Sequence, residues 1–225
     1  MFTEWDIEDP VIESDSEKDN YVFELEQGSQ EWLDIRSGKI TGSKFSDILA
    51  KGANVVRDKY KVQLAIERIT GSPIVMDYKS AAMIKGNADE PEARQHYAFT
   101  CDDDVFPVAF VYHPEIPNAG CSPDSLVGND GLLEIKCPNL VTHVGYLLDK
   151  KIPSTYLKQM HWQLACTGRK WVDWVSYCKE MPIHLRCLCI RVHRDESIIS
   201  SYEVEANKFN KEVDDLVIKL NQIGA

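Results

Sequence analysis

The chain has 225 residues, with 36 acidic and 25 basic side chains and a formal net charge of −11 at pH 7. This length suits one domain of ordinary size or two small ones, and a hydrophobic share of 44% excludes a wholly disordered chain. No stretch approaches the ~18 uninterrupted apolar residues that a membrane span requires. The acidic start is unlike a signal peptide, so we expect a cytoplasmic protein with no membrane partner.

The negative charge is unevenly distributed. Residues 1–20 carry eight carboxylates against Lys18, which predicts a flexible acidic tail, either a solubilising leader or a docking segment. Residues 21–225 are predicted to form a single domain. Within it, residues 36–68 carry eight basic side chains against three acidic ones. The net charge argues against binding of nucleic acid through its phosphates, whereas this segment predicts a local basic patch.

The seven cysteines are odd in number and include no C-x-x-C pair. This spacing excludes a disulfide framework, a structural zinc pattern and a four-cysteine iron–sulfur set. We interpret the cysteines as structural thiols. Cys187 and Cys189, two residues apart, are predicted to lie on one face of a strand as small buried side chains.

The first hundred residues predict helices. A Ser29 cap opens the first, and the helices over residues 29–37, 41–51 and 58–70 each end at a glycine, namely Gly38, Gly52 and Gly71. A longer helical stretch follows over residues 80–99. Pro91 lies inside it, which predicts a kink or a break near Glu90.

The middle of the chain changes to strand patterns. Residues 105–114 predict a strand with an edge or a bulge at Pro107, and residues 120–138 predict two strands joined by a turn at 128–131. Ser154 is the predicted cap of a helix that ends at Gly168. The remaining predicted elements are strands at 171–178 and 183–194 and a helix at 206–222. The predicted fold class is α/β, a mixed sheet flanked by helices.

The strongest chemical signal is Pro123-Asp124 followed, after nine residues, by Glu134-Ile135-Lys136. Residues two apart in a strand share a face, so Glu134 and Lys136 point the same way, and the turn can bring Asp124 beside them. Two close carboxylates repel unless a cation lies between them, and oxygen ligands suit Mg²⁺ or Mn²⁺. The alternative interpretation is a plain cross-strand salt bridge.

These residues resemble the PD-(D/E)xK nuclease superfamily, with its restriction-endonuclease-like core. The similarity is greater to the lambda exonuclease (YqaJ-like viral recombinase) family. It rests on five blocks in chain order: Gln30–Arg36 with Gly38–Ser43, Gly86–Arg94, Cys121–Leu126, Leu133–Pro138, and Tyr156–Met160 with Gln163. Five ordered blocks are far more specific than any one motif.

The resemblance implies a role for each matching residue. Asp124 and Glu134 would be metal ligands, with the Ile135 carbonyl as a third, and Glu90 would add a carboxylate directly or through water. Lys136 would orient or deprotonate the attacking water. Gln159 would position the lysine, the water or the phosphate, with Gln163 as its rival for that role. Arg36 and Ser43 match the positions of the family's pocket for the 5′-terminal phosphate, and Thr41 and Trp32 are expected to bind the DNA end beside it. The alternative for Trp32 is a side chain packed in the core.

The function that the resemblance implies is a Mg²⁺-dependent 5′-to-3′ exonuclease on double-stranded DNA, with two ions per site and Mn²⁺ as a substitute. It would release mononucleotides and leave 3′ single-stranded tails for strand annealing. The implied partners are DNA ends, two further copies of the chain in a homotrimer ring, and a single-strand annealing protein. A phage or prophage origin would place it in the cytoplasm of a bacterial host. A structure- or sequence-specific endonuclease and a catalytically inactive binding protein remain alternatives.

Overall fold

The computed structural model describes residues 20–50, 55–74, 81–101 and 103–223, with only the backbone at 81–84. The helices are α1 (Gln30–Arg36), α2 (Phe45–Ile48), α3 (Val55–Thr70), α4 (Ala81–Thr100), α5 (Leu140–Asp149), α6 (Ser154–Thr167) and α7 (Glu196–Ile223). Two 3-10 turns cover Gly42–Lys44 and Ile183–Leu185. Apart from Asn20, the predicted acidic tail lies outside the described residues, as does the predicted helix stop at Gly52.

The strands form two sheets. Their bounds are β1 (Tyr21–Val22), β2 (Ile40–Thr41), β3 (Val105–Phe106), β4 (Phe110–Tyr112), β5 (Ala119–Cys121), β6 (Ser125–Val127), β7 (Gly131–Lys136), β8 (Trp171–Tyr177) and β9 (Cys187–His193). The smaller sheet has the order β1-β4-β5-β2, and the larger has the order β3-β6-β7-β8-β9. Both contain parallel and antiparallel pairs, so the predicted mixed α/β class is confirmed.

The centre of the larger sheet is the predicted hairpin. β6 and β7 pair in antiparallel fashion, with Val127 opposite Gly131. Gly128 adopts φ +47, a conformation that glycine reaches without a Cβ clash. α5 and α6 then connect β7 to the parallel strand β8, on which Trp174 lies opposite Glu134. The tight turn and the helical crossover therefore make β7 an interior strand.

The side chains of β7 alternate between two cores. Leu132 joins the main apolar cluster, which includes Trp162 of α6 and Phe209 of α7. Leu133 and Ile135 join a second cluster with Ala93 and Tyr97 of α4, on the opposite face. Because the side-chain period of a strand is two, Glu134 and Lys136 point toward α6. Helices on both faces thus enclose the strand that carries the motif.

The predicted strand over residues 105–114 is wrong as one element. It divides at Pro107 into β3, which pairs with β6, and β4, which pairs with β1 and β5. Proline has no N–H to donate and so cannot continue a ladder. The segment between the strands crosses from one sheet to the other, and the Ala109 N–H donates to Val22 O at 2.8 Å.

Several helices differ from their prediction, and α2 covers only the middle of the predicted helix over residues 41–51. α4 is one helix through Pro91, so of the predicted kink or break near Glu90 the break is absent from the described helix. The Lys85–Asp89 ion pair lies just before Pro91, and the Glu90–Arg94 ion pair spans it. α7 begins at Glu196, ten residues before its predicted start. Pro153 rather than Ser154 occupies the N-cap of α6.

One helix was absent from the prediction. α5 follows Pro138, and the Asn139 side chain caps it by accepting a hydrogen bond from the Thr142 N–H at 2.9 Å. The sequence carries this cap directly after Pro138, and the prediction assigned no element to the apolar run at residues 140–148.

All seven cysteines are free thiols, as predicted. The prediction that Cys187 and Cys189 are buried is wrong, since Cys187 is half-buried and Cys189 is exposed on β9. β9 is the last strand of the larger sheet, and helices leave part of an edge strand uncovered. Within the described part of the chain, the helices are too short or too polar to cross a membrane.

Candidate active site

The hairpin places Asp124 beside β7. Asp124 precedes β6, its backbone N–H donates to Leu133 O at 3.1 Å, and its Oδ2 accepts a hydrogen bond from the Ile135 N–H at 2.5 Å. The antiparallel pairing of β6 with β7 therefore determines where this carboxylate lies. Asp124, Glu134 and Lys136 come together as the motif predicts.

Glu134 is almost completely enclosed, with 1% of its surface exposed, and both of its oxygens have donors. Oε1 accepts from Lys136 Nζ and from Gln159 Nε2, the latter at 2.6 Å. Oε2 accepts from Gln163 Nε2 at 2.6 Å. Burial of a carboxylate is costly unless its oxygens are paired, and these three donors meet that requirement. Both of the glutamines between which the sequence left a choice contact Glu134.

Glu90 reaches the same region from α4. It forms a 2.6 Å ion pair with Arg94, one helical turn further along. A cavity of about 450 Å³ opens between α4, the end of β7 and α5. We call it the acidic cleft, and its lining includes Glu90, Asp124, Ile135, Lys136, Tyr146 and Tyr156. The Lys136 ammonium lies 5.2 Å from the ring centroid of Tyr156.

The charges of the acidic cleft perturb one another. Burial and the neighbouring Glu134 raise the pKa of Asp124 well above its usual range, although Lys136 opposes this. Burial also raises the pKa of Glu90. For Lys136, burial alone would lower the pKa, but Glu134 and Asp124 outweigh it and raise the pKa. Lys136 therefore remains an ammonium beside these carboxylates.

This donor set has the chemistry of a divalent cation site. Carboxylate and carbonyl oxygens suit Mg²⁺ and Mn²⁺, and an added cation would relieve the repulsion that raises the pKa of Asp124. Among the described residues, however, no three His, Cys, Asp or Glu side chains are close enough together to form a complete ligand set. In this structure, Lys136 and the two glutamines occupy the oxygens of Glu134, and Arg94 occupies Glu90.

The four residues predicted for the DNA end also converge. Trp32, Arg36, Thr41 and Ser43 line a smaller cavity of about 170 Å³, which we call the arginine cavity. The Arg36 guanidinium lies 4.0 Å from the ring centroid of Trp32. Trp32 itself is anchored because its Nε1 donates to Ala109 O at 2.9 Å. Burial lowers the pKa of Arg36 to about 10, so it still carries a positive charge at neutral pH.

The acidic cleft and the arginine cavity are connected through the chain. Arg36 donates a 2.7 Å hydrogen bond to the hydroxyl of Ser122, two residues before Asp124. On the other side, Gly42 lies between Thr41 and Ser43 and contacts the α6 glutamines. A Cβ atom on Gly42 would lie 3.5 Å from Gln159 Cγ and 3.7 Å from Gln163 Cγ.

Sequence reasoning missed several residues of these cavities. Ser122 belongs to one of the five matched blocks, but no role was predicted for it. Its position directly before Pro123-Asp124 indicated that it lies close to the site. Tyr146, Asn139 and Thr142 line the acidic cleft from α5, the helix that was not predicted. A larger cavity of about 590 Å³ surrounds the C-terminal end of α6 and contains none of the predicted site residues.

Comparison with known proteins identifies the family and the fold of the chain. The profile of the YqaJ-like viral recombinase domain matches residues 31–170. An alkaline exonuclease (LHK-Exo) from Laribacter hongkongensis has 38% sequence identity and a TM-score of 0.82, over 87% of this chain and 98% of that chain. The same relative in complex with dAMP matches with the same values. These neighbours have the PD-(D/E)xK-like fold, so the predicted core is confirmed.

A phage-related exonuclease from Haemophilus somnus 129PT has a TM-score of 0.66 at 13% identity, over 81% of this chain and 96% of that chain, which shows the shared fold alone. A search of curated proteins found no match. Since the family profile covers more than half of the chain, the protein belongs to the YqaJ-like viral recombinase family.

Proposed function

We propose that the chain is a Mg²⁺-dependent exonuclease that digests the 5′-ended strand of double-stranded DNA, releases mononucleotides and leaves 3′ single-stranded tails for strand annealing. The observation that carries this proposal is the meeting of Asp124, Glu134 and Lys136 at one end of β7. Asp124 and Lys136 line the acidic cleft, and the buried Glu134 contacts Lys136 directly behind it. The similarity to an alkaline exonuclease supports nuclease chemistry. The complex of that relative with dAMP, a deoxynucleoside monophosphate, supports a mononucleotide product.

Four groups would hold the metal. The side chains of Asp124, Glu134 and Glu90 and the carbonyl of Ile135 supply oxygen ligands for two Mg²⁺ ions, or for Mn²⁺ in their place. When bound, a divalent cation activates water and neutralises negative charge at the scissile phosphate. The raised pKa values of Asp124 and Glu90 support this assignment, because a divalent cation between the carboxylates would relieve their mutual repulsion.

Lys136 and Gln159 act beside the carboxylates. The ammonium of Lys136 orients the attacking water and offsets the charge that develops on the phosphate oxygens. Gln159 and Lys136 share Oε1 of Glu134, so the amide limits where the ammonium can lie. The ring of Tyr156 covers Lys136 on a further side. A rigid position suits a group that must meet a phosphate at one atom.

The arginine cavity would bind the 5′-terminal phosphate. Arg36 supplies a charged fork, and the hydroxyls of Thr41 and Ser43 supply neutral donors beside it. The ring of Trp32 packs against the guanidinium, and we expect this ring to contact the terminal base pair. Recognition of the 5′ end at this cavity would place the first phosphodiester at the acidic cleft and thereby set the direction of digestion.

The assembly and setting follow the family resemblance. We expect three copies in a ring around the DNA product, with a single-strand annealing protein as the functional partner. The cytoplasm of a bacterial host would supply both the DNA ends and a reducing environment, which suits seven free thiols. The size of the purified protein by light scattering tests the trimer directly.

The decisive experiment is digestion of DNA labelled at one end. Linear duplexes with a 5′ phosphate or a 5′ hydroxyl are incubated with and without Mg²⁺, and the products are resolved by length. The proposal expects labelled mononucleotide from 5′-labelled DNA, progressively shorter strands that keep their label from 3′-labelled DNA, and no loss of closed circular DNA. Cutting of the closed circle would instead indicate an endonuclease. Intact linear DNA with Mg²⁺ and with Mn²⁺ would indicate an inactive binding protein.

A further inference from the structure

The donors around the Glu134 carboxylate are distributed unequally. Oε1 accepts from both Lys136 and Gln159, so it keeps one donor if the other is removed. Oε2 accepts from Gln163 alone among the described residues. Loss of the Gln163 amide would therefore leave a buried carboxylate oxygen without a donor, which is one of the more costly defects in a protein interior.

Packing holds the Gln163 side chain in position for its hydrogen bond to Glu134. It has no exposed surface, and its stem lies against Gly42, where a Cβ atom would be 3.7 Å from Gln163 Cγ. Its own Oε1 is buried and has no hydrogen-bond donor within the described part of the chain. An apolar residue of similar volume would avoid that cost, since an unpaired buried amide oxygen destabilises the fold. Among the described residues, the Gln163 side chain makes one hydrogen bond, and its acceptor is Glu134.

Gln159 and Gln163 lie one helical turn apart on α6, and the two amides contact opposite oxygens of one carboxylate. Together they prevent the carboxylate of Glu134 from rotating about its terminal bond. Gln159 is half-buried, whereas Gln163 lies behind Glu134 in the core. This difference in depth gives the two glutamines different tasks: Gln159 can reach the open side of the site, and Gln163 cannot.

We propose that Gln163 is a positioning residue that fixes the orientation of Glu134 for divalent cation binding, without contact to the DNA. This inference rests on the proposed function, in which Glu134 is a metal ligand. Residues that hold a metal ligand in place from behind commonly change metal affinity or activity 10- to 100-fold when they are lost. A purely structural role would instead change stability and leave metal affinity unaltered.

The test is Gln163→Met, which keeps an unbranched stem of similar length against Gly42 and removes the amide. We expect Mn²⁺ binding, measured by calorimetry in the absence of DNA, to weaken about tenfold or more. The Mg²⁺ concentration that gives half-maximal cleavage should rise by a similar factor, while KM for DNA at saturating Mg²⁺ stays within about twofold. Asn207→Met makes a similar amide-to-methionine change on the exposed surface of α7 and is the control. Its Mn²⁺ affinity and its cleavage of DNA should match those of the wild type.

Unaltered Mn²⁺ affinity in a folded Gln163→Met protein would overturn the inference, whatever its thermal stability. If this variant does not fold, Gln163→Asn serves instead, because it keeps the amide but shortens its reach by one methylene, and the same weakening is expected. The outcome is separable from the proposed function. A wild type that binds Mn²⁺ but cleaves no DNA refutes the exonuclease, yet weaker binding by the variant still supports the role of Gln163. A wild type that binds no divalent cation overturns both.

Discussion

Arg36 donates a 2.7 Å hydrogen bond to the hydroxyl of Ser122, which lies two residues before Asp124. This bond joins α1, the helix that bears one wall of the arginine cavity, to the segment that leads into β6. Ser122 also accepts from Trp32 Nε1 at 3.2 Å. The proposed phosphate-binding arginine and the proposed metal ligand are therefore held by one short stretch of chain, which limits the distance between the two cavities.

Replacement of Lys136 by alanine tests the catalytic cluster. We expect Lys136→Ala to lower kcat by about 10²- to 10⁴-fold, because the variant loses the ammonium beside the attacked phosphate. Binding of DNA in Ca²⁺ and binding of Mn²⁺ should persist. Lys208→Ala, which removes an exposed ammonium from α7, is the matched control. Retention of near-normal cleavage by Lys136→Ala would contradict the role given to this lysine.

Replacement of Arg36 by alanine tests the arginine cavity. We expect KM for linear DNA with a 5′ phosphate to rise about 10- to 100-fold, because the variant loses a charge-assisted hydrogen bond to that phosphate. KM for DNA with a 5′ hydroxyl should rise much less. The two substrates are compared in the same Mg²⁺ buffer. An equal rise in KM for both substrates would contradict the phosphate-binding role of Arg36. The same role for Thr41 and Ser43, which line the same cavity, would then lose its support.

Acid should weaken metal binding at a higher pH here than at a site built from exposed carboxylates. Burial and Glu134 raise the pKa of Asp124, and burial raises the pKa of Glu90, so protons compete with the cation at a higher pH than at exposed carboxylates. We expect the Mg²⁺ concentration for half-maximal cleavage to fall steadily as the pH rises from about 6 to about 9. A half-saturating concentration that is independent of pH over this range would contradict the expectation.

Without a bound metal, the ionised Asp124 side chain should lower the stability of the folded protein. Its pKa is raised in the folded protein, so the folded state binds the proton more tightly than the unfolded state, and the free energy of unfolding falls as the pH rises past the usual range of aspartate. In EDTA at about pH 8, Asp124→Asn should therefore melt about 2–4 °C above the wild type. Below about pH 3 the difference should vanish, because Asp124 is then protonated in both the folded and the unfolded state. A lower melting temperature for Asp124→Asn in EDTA would refute this account.

Two glycines provide a paired test of the fold. A Cβ atom on Gly120 of β5 would lie 2.6 Å from the backbone oxygen of Val111, so Gly120→Ala should lower the free energy of unfolding by about 1–3 kcal/mol. Gly145 lies inside α5 with no described atom within 4 Å of the corresponding position. Gly145→Ala should raise the free energy of unfolding by about 0.5–1 kcal/mol, since alanine favours the helix. Urea denaturation measures both, and a change of the same sign in the two variants would contradict the described packing.

The local elements were largely predictable because their signals are local. The Ser29 cap, which accepts from the Trp32 N–H at 3.2 Å, and the glycines that end α1, α3 and α6 act over a few residues. The division at Pro107 was only partly foreseen. A missing N–H predicts an interrupted ladder, but the assignment of the two halves to different sheets depends on partners far along the chain.

The sequence by itself determined the mixed class of the fold, the family, and the identity of Asp124, Glu134 and Lys136 as a cluster, since two-residue periodicity and a tight turn suffice to bring them together. Only the tertiary structure decided which donors reach each oxygen of Glu134. Gln159 and Gln163 are equivalent by spacing, and their depth relative to the sheet depends on how α6 packs against β7 and Gly42. That packing arises from long-range burial of apolar surface, which has no signature in a short stretch of sequence.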